Sequence, residues 1–176
     1  MKAIYVIRHA EKGSNGELTE RGKQLANQLG GLLPKFAKAT ASGSPRTIET
    51  ALRITGQQPA TDDRAGFYMA AQDKSEAVNK LAADKRITFF EAADIYNDGE
   101  LLDGINAQAT DLNNLLNETL NSLNEGETAL IVSHDMTITP AMVLRGQPRT
   151  SIDYLSGYKL DDSGYLSAFD AHQISV

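Results

Sequence analysis

Two of the three histidines in the chain directly follow short apolar runs. His9 comes after residues 3–7 through Arg8, and His134 comes after residues 130–133. A single histidine at a strand end is ordinarily structural; two at equivalent strand ends mark a site. Arg8 sharpens this reading. At the inner end of a buried strand its guanidinium must find a counter-charge, because leaving such an ion unpaired is strongly destabilising. A phosphate group meets that need, since the planar fork binds it bidentately. Arg46 follows Pro45 in what reads as the first turn of a helix, where the macrodipole disfavours a cation. The placement makes chemical sense if Arg46 and the helix N-terminus face the same anion. His172 matches no such pattern and reads as a surface residue.

Elements must hold these residues together. Residues 3–7 are apolar and largely β-branched and read as a buried strand. A loop with Gly13, Ser14 and Gly16 follows. Thr19 then caps a helix whose Leu25, Leu29, Leu32 and Leu33 form one stripe. Residues 38–42 read as a second strand. Ser44-Pro45 is a helix start, with Ser as cap and Pro at the first helical position, and that helix runs to about Ile54. The segment 57–85 carries little pattern, apart from a helix over 75–83. Residues 87–90 read as a strand and Asn97-Asp98-Gly99 as a turn.

From 103 to 123 the pattern is helical. Ile105, Ala109, Leu112, Leu115, Leu116, Leu120 and Leu123 share a face, and Gly126 ends the element. Residues 128–133 form the next strand, and 140–144 start another helix. The tail reads as strands over 154–160 and 165–169, joined by a turn. No repeat, linker or low-complexity tract interrupts the chain, so 1–176 reads as one domain. Strand alternating with helix predicts an α/β fold with a mainly parallel, doubly covered sheet. Ligands of such sheets sit beyond the carboxyl ends of the strands, where His9 and His134 fall.

Composition narrows the function. The chain has 176 residues, 41% of them hydrophobic and 23% charged, which excludes a disordered or fibrous protein. It has no cysteine, which excludes a disulfide scaffold, a thiol nucleophile and thiolate zinc sites. The net charge of −6 argues against general nucleic-acid binding, which rests on basic surface. An anionic substrate must therefore be held by a local basic pocket. The apolar runs at 3–7 and 129–132 are too short for a signal-peptide core or a membrane span. The expectation is a soluble, cytoplasmic protein without membrane or nucleic-acid partners.

Arg8-His9-Ala10-Glu11 resembles the Arg-His-Gly/Ala signature of the histidine phosphatase superfamily, also called phosphoglycerate mutase-like. Asn15 stands six residues after His9, where many members carry a phosphate-contacting Asn. Leu18-Thr19-Glu20-Arg21-Gly22-Lys23-Gln24-Leu25-Ala26 is similar to the family's Leu-Thr-x-x-Gly-x-x-Gln-Ala entry to its first helix. Ser42-Gly43-Ser44-Pro45-Arg46-Thr47-Ile48-Glu49-Thr50-Ala51 resembles Ser-x-x-x-Arg-x-x-x-Thr-Ala, and Val132-Ser133-His134-Asp135 the second histidine motif. Four matches in order make the resemblance specific. Two departures stand out. Ala10 replaces the commoner Gly, and the loop from Asn15 to Leu18 is very short.

The resemblance implies a three-layer α/β/α sandwich with a mainly parallel central sheet, of the small cytoplasmic phosphatase type. It implies a metal-independent, cofactor-free phosphatase that hydrolyses phosphomonoesters through a phosphohistidine on His9. Arg8, Arg46 and His134 would surround the equatorial oxygens, where charge sits during transfer. One branch of the superfamily takes its proton donor from a middle-region Glu, the acid phosphatase branch from the Asp after the second His. Asp135 is the first choice here, with Glu100 or Glu91 as alternatives. Glu11, Asn15 and Glu100 are candidate substrate contacts. The partner implied is a phosphorylated small molecule or a phosphoprotein, and short loops predict a shallow, open pocket that suits the latter. Alternatives are a phosphohistidine phosphoprotein phosphatase, a phosphoglycerate mutase-type phosphotransferase and a non-catalytic phosphate-binding module.

Overall fold

The computed structural model describes residues 1–66 and 72–173, with the side chains of residues 72 and 73 excepted. Strand β1 (Ala3–Arg8) lies near the middle of a six-stranded sheet. It runs parallel to β4 (Thr128–Ser133), with Arg8 opposite Ser133. Outward from β4 come β2 (Lys38–Ala41) and the short β3 (Ala60–Thr61), both parallel to their neighbours. On the other side β5 (Gly157–Asp161) pairs antiparallel with β1, and β6 (Leu166–Phe169) pairs antiparallel with β5. The order is β3-β2-β4-β1-β5-β6.

Strand alternation sorts the core into two layers. Ile4, Val6, Ala129 and Ile131 face one side and pack against Leu112 and Leu116 of α5 (Gly99–Ser122) and Ile138 and Met142 of α6 (Asp135–Val143). Ile7, Leu130 and Val132 face the other side. They meet Ala26 and Leu29 of α1 (Glu20–Leu32) and Ala51 and Ile54 of α2 (Pro45–Thr55). Helices therefore cover both faces of a mostly parallel sheet, the three-layer sandwich expected. A third, smaller cluster joins α3 (Gln72–Lys85) and α4 (Phe89–Tyr96) to the start of α5 through Val78, Ala92, Ala93, Leu101 and Ile105.

Several local expectations are corrected. Residues 87–90 are not a strand. Glu91 N donates to the Thr88 hydroxyl, and Thr88 N donates to Glu91 Oε2, so a capping box opens α4. The β-branched Ile87 and Thr88 favour a strand, but Thr-x-x-Glu is a helix-start signature and wins. α5 begins at Gly99, because the Asp98 side chain accepts from Leu101 N and caps it there. It ends at Ser122, and Gly126 (φ 82°) instead makes the turn into β4. The helix expected at 140 begins at Asp135, directly after β4, with Pro140 inside it. Burial of Thr137, Ile138 and Met142 offsets the backbone hydrogen bond that the ring forfeits. The strand expected over 154–160 starts only at Gly157. Leu155 has φ 60°, a left-handed conformation that cannot continue a strand.

Candidate active site

The register of β1 on β4 places the two histidines side by side. Each follows the last residue of its strand, and His9 N donates to Ser133 O at 3.0 Å. The imidazole centroids are 5.3 Å apart. α2 begins at the neighbouring strand end and delivers Arg46 from its first turn. Arg46 Nε donates to His9 Nε2 at 3.2 Å, and Nη2 lies 3.4 Å from His134 Nδ1. One guanidinium thus spans both rings. Two threonines of α2 secure the arrangement. Thr50 Oγ1 accepts from Ala10 N at 3.0 Å, and Thr47 Oγ1 lies 2.8 Å from Ser42 Oγ. Gly22 of α1 is needed close by, since a Cβ there would stand 2.5 Å from the Glu11 carbonyl oxygen.

These contacts define the state of both rings. His9 Nδ1 lies 2.8 Å from the Ala10 carbonyl, which only accepts, so Nδ1 carries the proton. Nε2 therefore presents its lone pair towards the guanidinium. By the same logic the Arg46 donor leaves His134 Nδ1 unprotonated, and His134 Nε2 donates to Ser42 Oγ at 2.9 Å. Both rings are almost completely buried, His9 at 3% and His134 at 5% exposure. Burial pushes His9 down to about 3, and the positive charges of Arg46, Arg8 and Lys12 act in the same direction. Burial, then His9 and Arg46, push His134 down to about 2. Both imidazoles are neutral at pH 7.

Arg8 completes the cradle. Its Nη1 donates to Ile152 O at 2.6 Å, and its guanidinium carbon sits 4.2 Å from the centroid of the Tyr154 ring. Arg8, His9, Arg46, His134 and Asp135 all border one cavity of about 480 Å³. Its remaining wall comes from Lys12, from Ser75, Glu76 and Asn79 of α3, from Phe89 of α4, and from Met136. A larger hollow of about 570 Å³ lies between α1 and the segment from Leu155 to His172. It contains none of Arg8, His9, Arg46 or His134, so chemistry rather than size selects the site.

The structure places the other candidates elsewhere. Asn15 is exposed and bonded to Glu17, its Nδ2 donating to Oε2 at 3.0 Å and its Oδ1 accepting from Glu17 N. Glu11 accepts from the Thr19 hydroxyl at 3.2 Å and lines a separate small hollow. Glu100 is paired with Lys74 at 2.6 Å, and Glu91 belongs to the α4 capping box. None of these four lines the His9 cavity. Asp135 does, as the first residue of α6. Its Oδ1 accepts from the Thr139 hydroxyl at 2.7 Å and from Ile152 N at 2.9 Å. His172 is exposed and faces Asp153 at 3.7 Å.

Sequence reasoning missed Lys12, Glu76, Asn79, Phe89 and Tyr154. Glu76 and Asn79 are three apart on a helix and share a face, but only the docking of α3 says that it faces His9. Among the described residues no group of three or more His, Cys, Asp or Glu is placed to hold a metal ion. No described helix is long and apolar enough to cross a membrane.

The fold and the paired histidines define a protein of the phosphoglycerate mutase-like class. A profile of the histidine phosphatase superfamily (branch 1) matches residues 4–155, and the chain belongs to that superfamily. Its members are phosphatases or mutases. No protein of curated function matches the sequence. The fold is similar to Bacillus stearothermophilus YhfR, with TM-score 0.69 and 22% identity over 96% of this chain and 95% of that one. It is similar to a phosphoglycerate mutase from Bacillus anthracis, with TM-score 0.65 and 20% identity over 98% and 94%. It is also similar to an Entamoeba histolytica phosphoserine phosphatase in complex with phosphoserine. That match has TM-score 0.66 and 17% identity, and covers both chains completely at 100%.

Proposed function

We propose that this chain is a metal-independent phosphatase that hydrolyses small phosphomonoesters through a phosphohistidine on His9. The observation that carries this reading is Arg46 spanning two neutral imidazoles, with the His9 lone pair on Nε2. In the first step Nε2 attacks phosphorus and the ester P–O bond breaks. The leaving oxygen takes a proton from a carboxylic acid. In the second step water attacks the phosphohistidine, gives its proton to the same carboxylate, and releases phosphate and neutral His9. Arg8 and Arg46 donate to the equatorial oxygens as charge gathers on them, and His134, whose Nδ1 accepts from Arg46, holds that guanidinium in place.

The cavity supports a small ester over a phosphoprotein. Short loops predict an open surface, but α3 and α4 build a wall around the phosphate cradle. Lys12 borders that cavity and makes no hydrogen bond or ion pair among the described residues, which suits an ester with a second negative group. The amoebic relative binds one such ester, phosphoserine. The test is to mix the protein with a phosphorus-labelled aryl phosphate in the presence of a chelator. An acid-labile, base-stable phosphoenzyme that forms and decays at the turnover rate is expected. Turnover that requires an added divalent ion would sink the reading.

Among the described residues two carboxylates border the cavity, Asp135 and Glu76, and the proton donor is one of them. A leaving-group series separates them. Replacing the donor by its amide should slow alkyl phosphates by about 10²- to 10⁴-fold and dinitrophenyl phosphate far less. Glu76→Gln and Asp135→Asn are compared on both esters, and the variant with the steep dependence marks the acid.

The depressed histidines set the pH behaviour. Because His9 holds its lone pair down to about pH 3, kcat/KM corrected for the ester's own ionisation should not fall with a midpoint near 6.5. Such a midpoint would show a His9 that protonates normally. Stability moves in the related window. Between about pH 3 and 6.5 the unfolded chain binds protons that the buried rings refuse, so stability is lost as pH falls below 6.5. Urea unfolding should show a loss of roughly 2 kcal/mol per histidine between about pH 7 and pH 5. His9→Ala should remove its share.

A further inference from the structure

We propose that Tyr154 is a positioning residue, holding the Arg8 guanidinium in the phosphate cradle from a segment, 150–156, that is anchored on Asp135. The proposal rests on the phosphatase reading for its kinetic consequence, but its geometry stands without it. Four contacts from this segment converge on Arg8. Its backbone N donates to Ser156 O at 2.9 Å, and its carbonyl accepts from Leu155 N at 3.1 Å. Its Nη1 donates to Ile152 O at 2.6 Å, and the Tyr154 ring lies under its guanidinium carbon at 4.2 Å. The same ring stands 5.7 Å from the His9 imidazole.

The other end of the segment is fastened to α6. Asp135 Oδ1 accepts from Ile152 N at 2.9 Å, and the Thr139 hydroxyl lies 3.2 Å from Thr150 O. The carboxylate beside the second histidine is thus linked through one residue, Ile152, to the arginine beside the first. Leu155 is held in the left-handed region at φ 60° with its side chain buried at 2% exposure. A branched residue adopts that conformation at a cost, and only where its surroundings demand it. Here the reversal lets the Leu155 side chain enter the core while the Tyr154 ring lies on Arg8.

Arg8 needs such a device. Its Nε is buried without a hydrogen-bond partner among the described residues. A guanidinium fixed by a single side-chain hydrogen bond would be free to rotate out of the plane that a phosphoryl oxygen requires. An aromatic face fixes that plane and attracts the cation electrostatically. It also leaves the remaining N–H groups available to the ligand.

The experiment compares Tyr154→Leu and Tyr154→Phe, each alone and combined with Arg8→Lys. The readouts are the inhibition constant of orthovanadate and the kcat on an aryl phosphate. Tyr154→Leu is expected to weaken vanadate roughly 10-fold and to lower kcat while changing KM little. Tyr154→Phe, which keeps the ring, should restore both. In the Arg8→Lys background, where no planar guanidinium remains, Tyr154→Leu should add almost nothing. A Tyr154→Leu protein that matches wild type overturns the proposal, as does a Tyr154→Phe protein impaired to the same degree, or full additivity with Arg8→Lys. A ligand-free measurement separates this from the phosphatase reading. In wild type the Arg8 Nε–H proton resonance should be displaced upfield by the ring and return in Tyr154→Leu. An undisplaced wild-type resonance overturns the proposal even if the protein hydrolyses esters. A displaced resonance in a protein that neither turns over nor binds vanadate upholds the geometry and removes the phosphatase.

Discussion

His9→Ala is expected to lower kcat by on the order of 10⁵-fold or more while the protein remains folded. The size follows from what the ring does. In the proposed mechanism it supplies the bond-forming atom of the first step, and no neighbour among the described residues can replace it. His134 holds its own proton on Nε2, which donates to Ser42, and directs Nδ1 to Arg46. The fold should survive because His9 stands beyond the last residue of β1. The strand's own pairing with β4 and β5 is made by backbone groups that the substitution leaves in place. Removing a buried ring that resists protonation also relieves a destabilising element at acid pH. Turnover of an aryl phosphate, trapping of phosphoenzyme and a urea melt are measured on the same preparation. Loss of turnover and label with an intact melt is the expected result. Wild-type turnover in this variant would show that another group attacks phosphorus.

Arg46→Ala should cost about 10²- to 10³-fold in kcat, the range for deleting one preorganised donor to developing charge. Arg46 contacts both imidazoles and points its fork into the cradle. In the proposed mechanism its loss removes a charge from the equatorial oxygens and the group that aligns the His9 lone pair. Arg46→Lys keeps the charge but cannot reach two rings with one rigid plane, so it should recover only part of the rate. A second consequence has a definite sign. The Arg46 charge helps to hold both histidines low, after burial. Without it both should titrate higher, and the acid side of the pH–rate profile should move up. Wild-type kcat in Arg46→Ala would reduce the arginine to a helix residue and leave the paired histidines without their link.

Asp135 and Glu76, the carboxylates at the cavity among the described residues, show how tertiary placement changes a role. Asp135 follows His134 in the chain, and that adjacency alone nominates it as proton donor. In the fold its Oδ1 also carries the 150–156 segment, so any Asp135 variant has two consequences, and only the leaving-group dependence isolates the chemical one. Glu76 has no nearby motif. It reaches the cavity because α3 and α4 pack against the start of α5 through Val78, Ala92, Ala93, Leu101 and Ile105. Glu100 and Glu91 sit in the same region of the chain, yet one pairs with Lys74 and the other caps α4.

The features legible in the chain are those written locally. Thr19, whose hydroxyl accepts from Gly22 N, and Pro45, at the first helical position, announce their helices through capping and proline preferences that act over three or four residues, while the Ser44 side chain makes no cap hydrogen bond. The runs before His9 and His134 announce buried strands, and helices between them demand a parallel sheet with ligands at the carboxyl ends. These features nominate Arg8, His9, Arg46 and His134 one by one, and the resemblance to the histidine phosphatase superfamily joins them into one proposed phosphate site. What tertiary structure decided is everything that depends on contacts between distant segments. The register of β1 on β4 brings His9 and His134 to 5.3 Å across 125 residues of chain. Their burial then drives both rings neutral. The wall of α3, the place of Lys12 at the cavity and the tyrosine laid on Arg8 have no local signature, because a side chain's orientation depends on how its helix or loop docks. That docking is a sum of many weak apolar contacts, each set by residues far away in sequence.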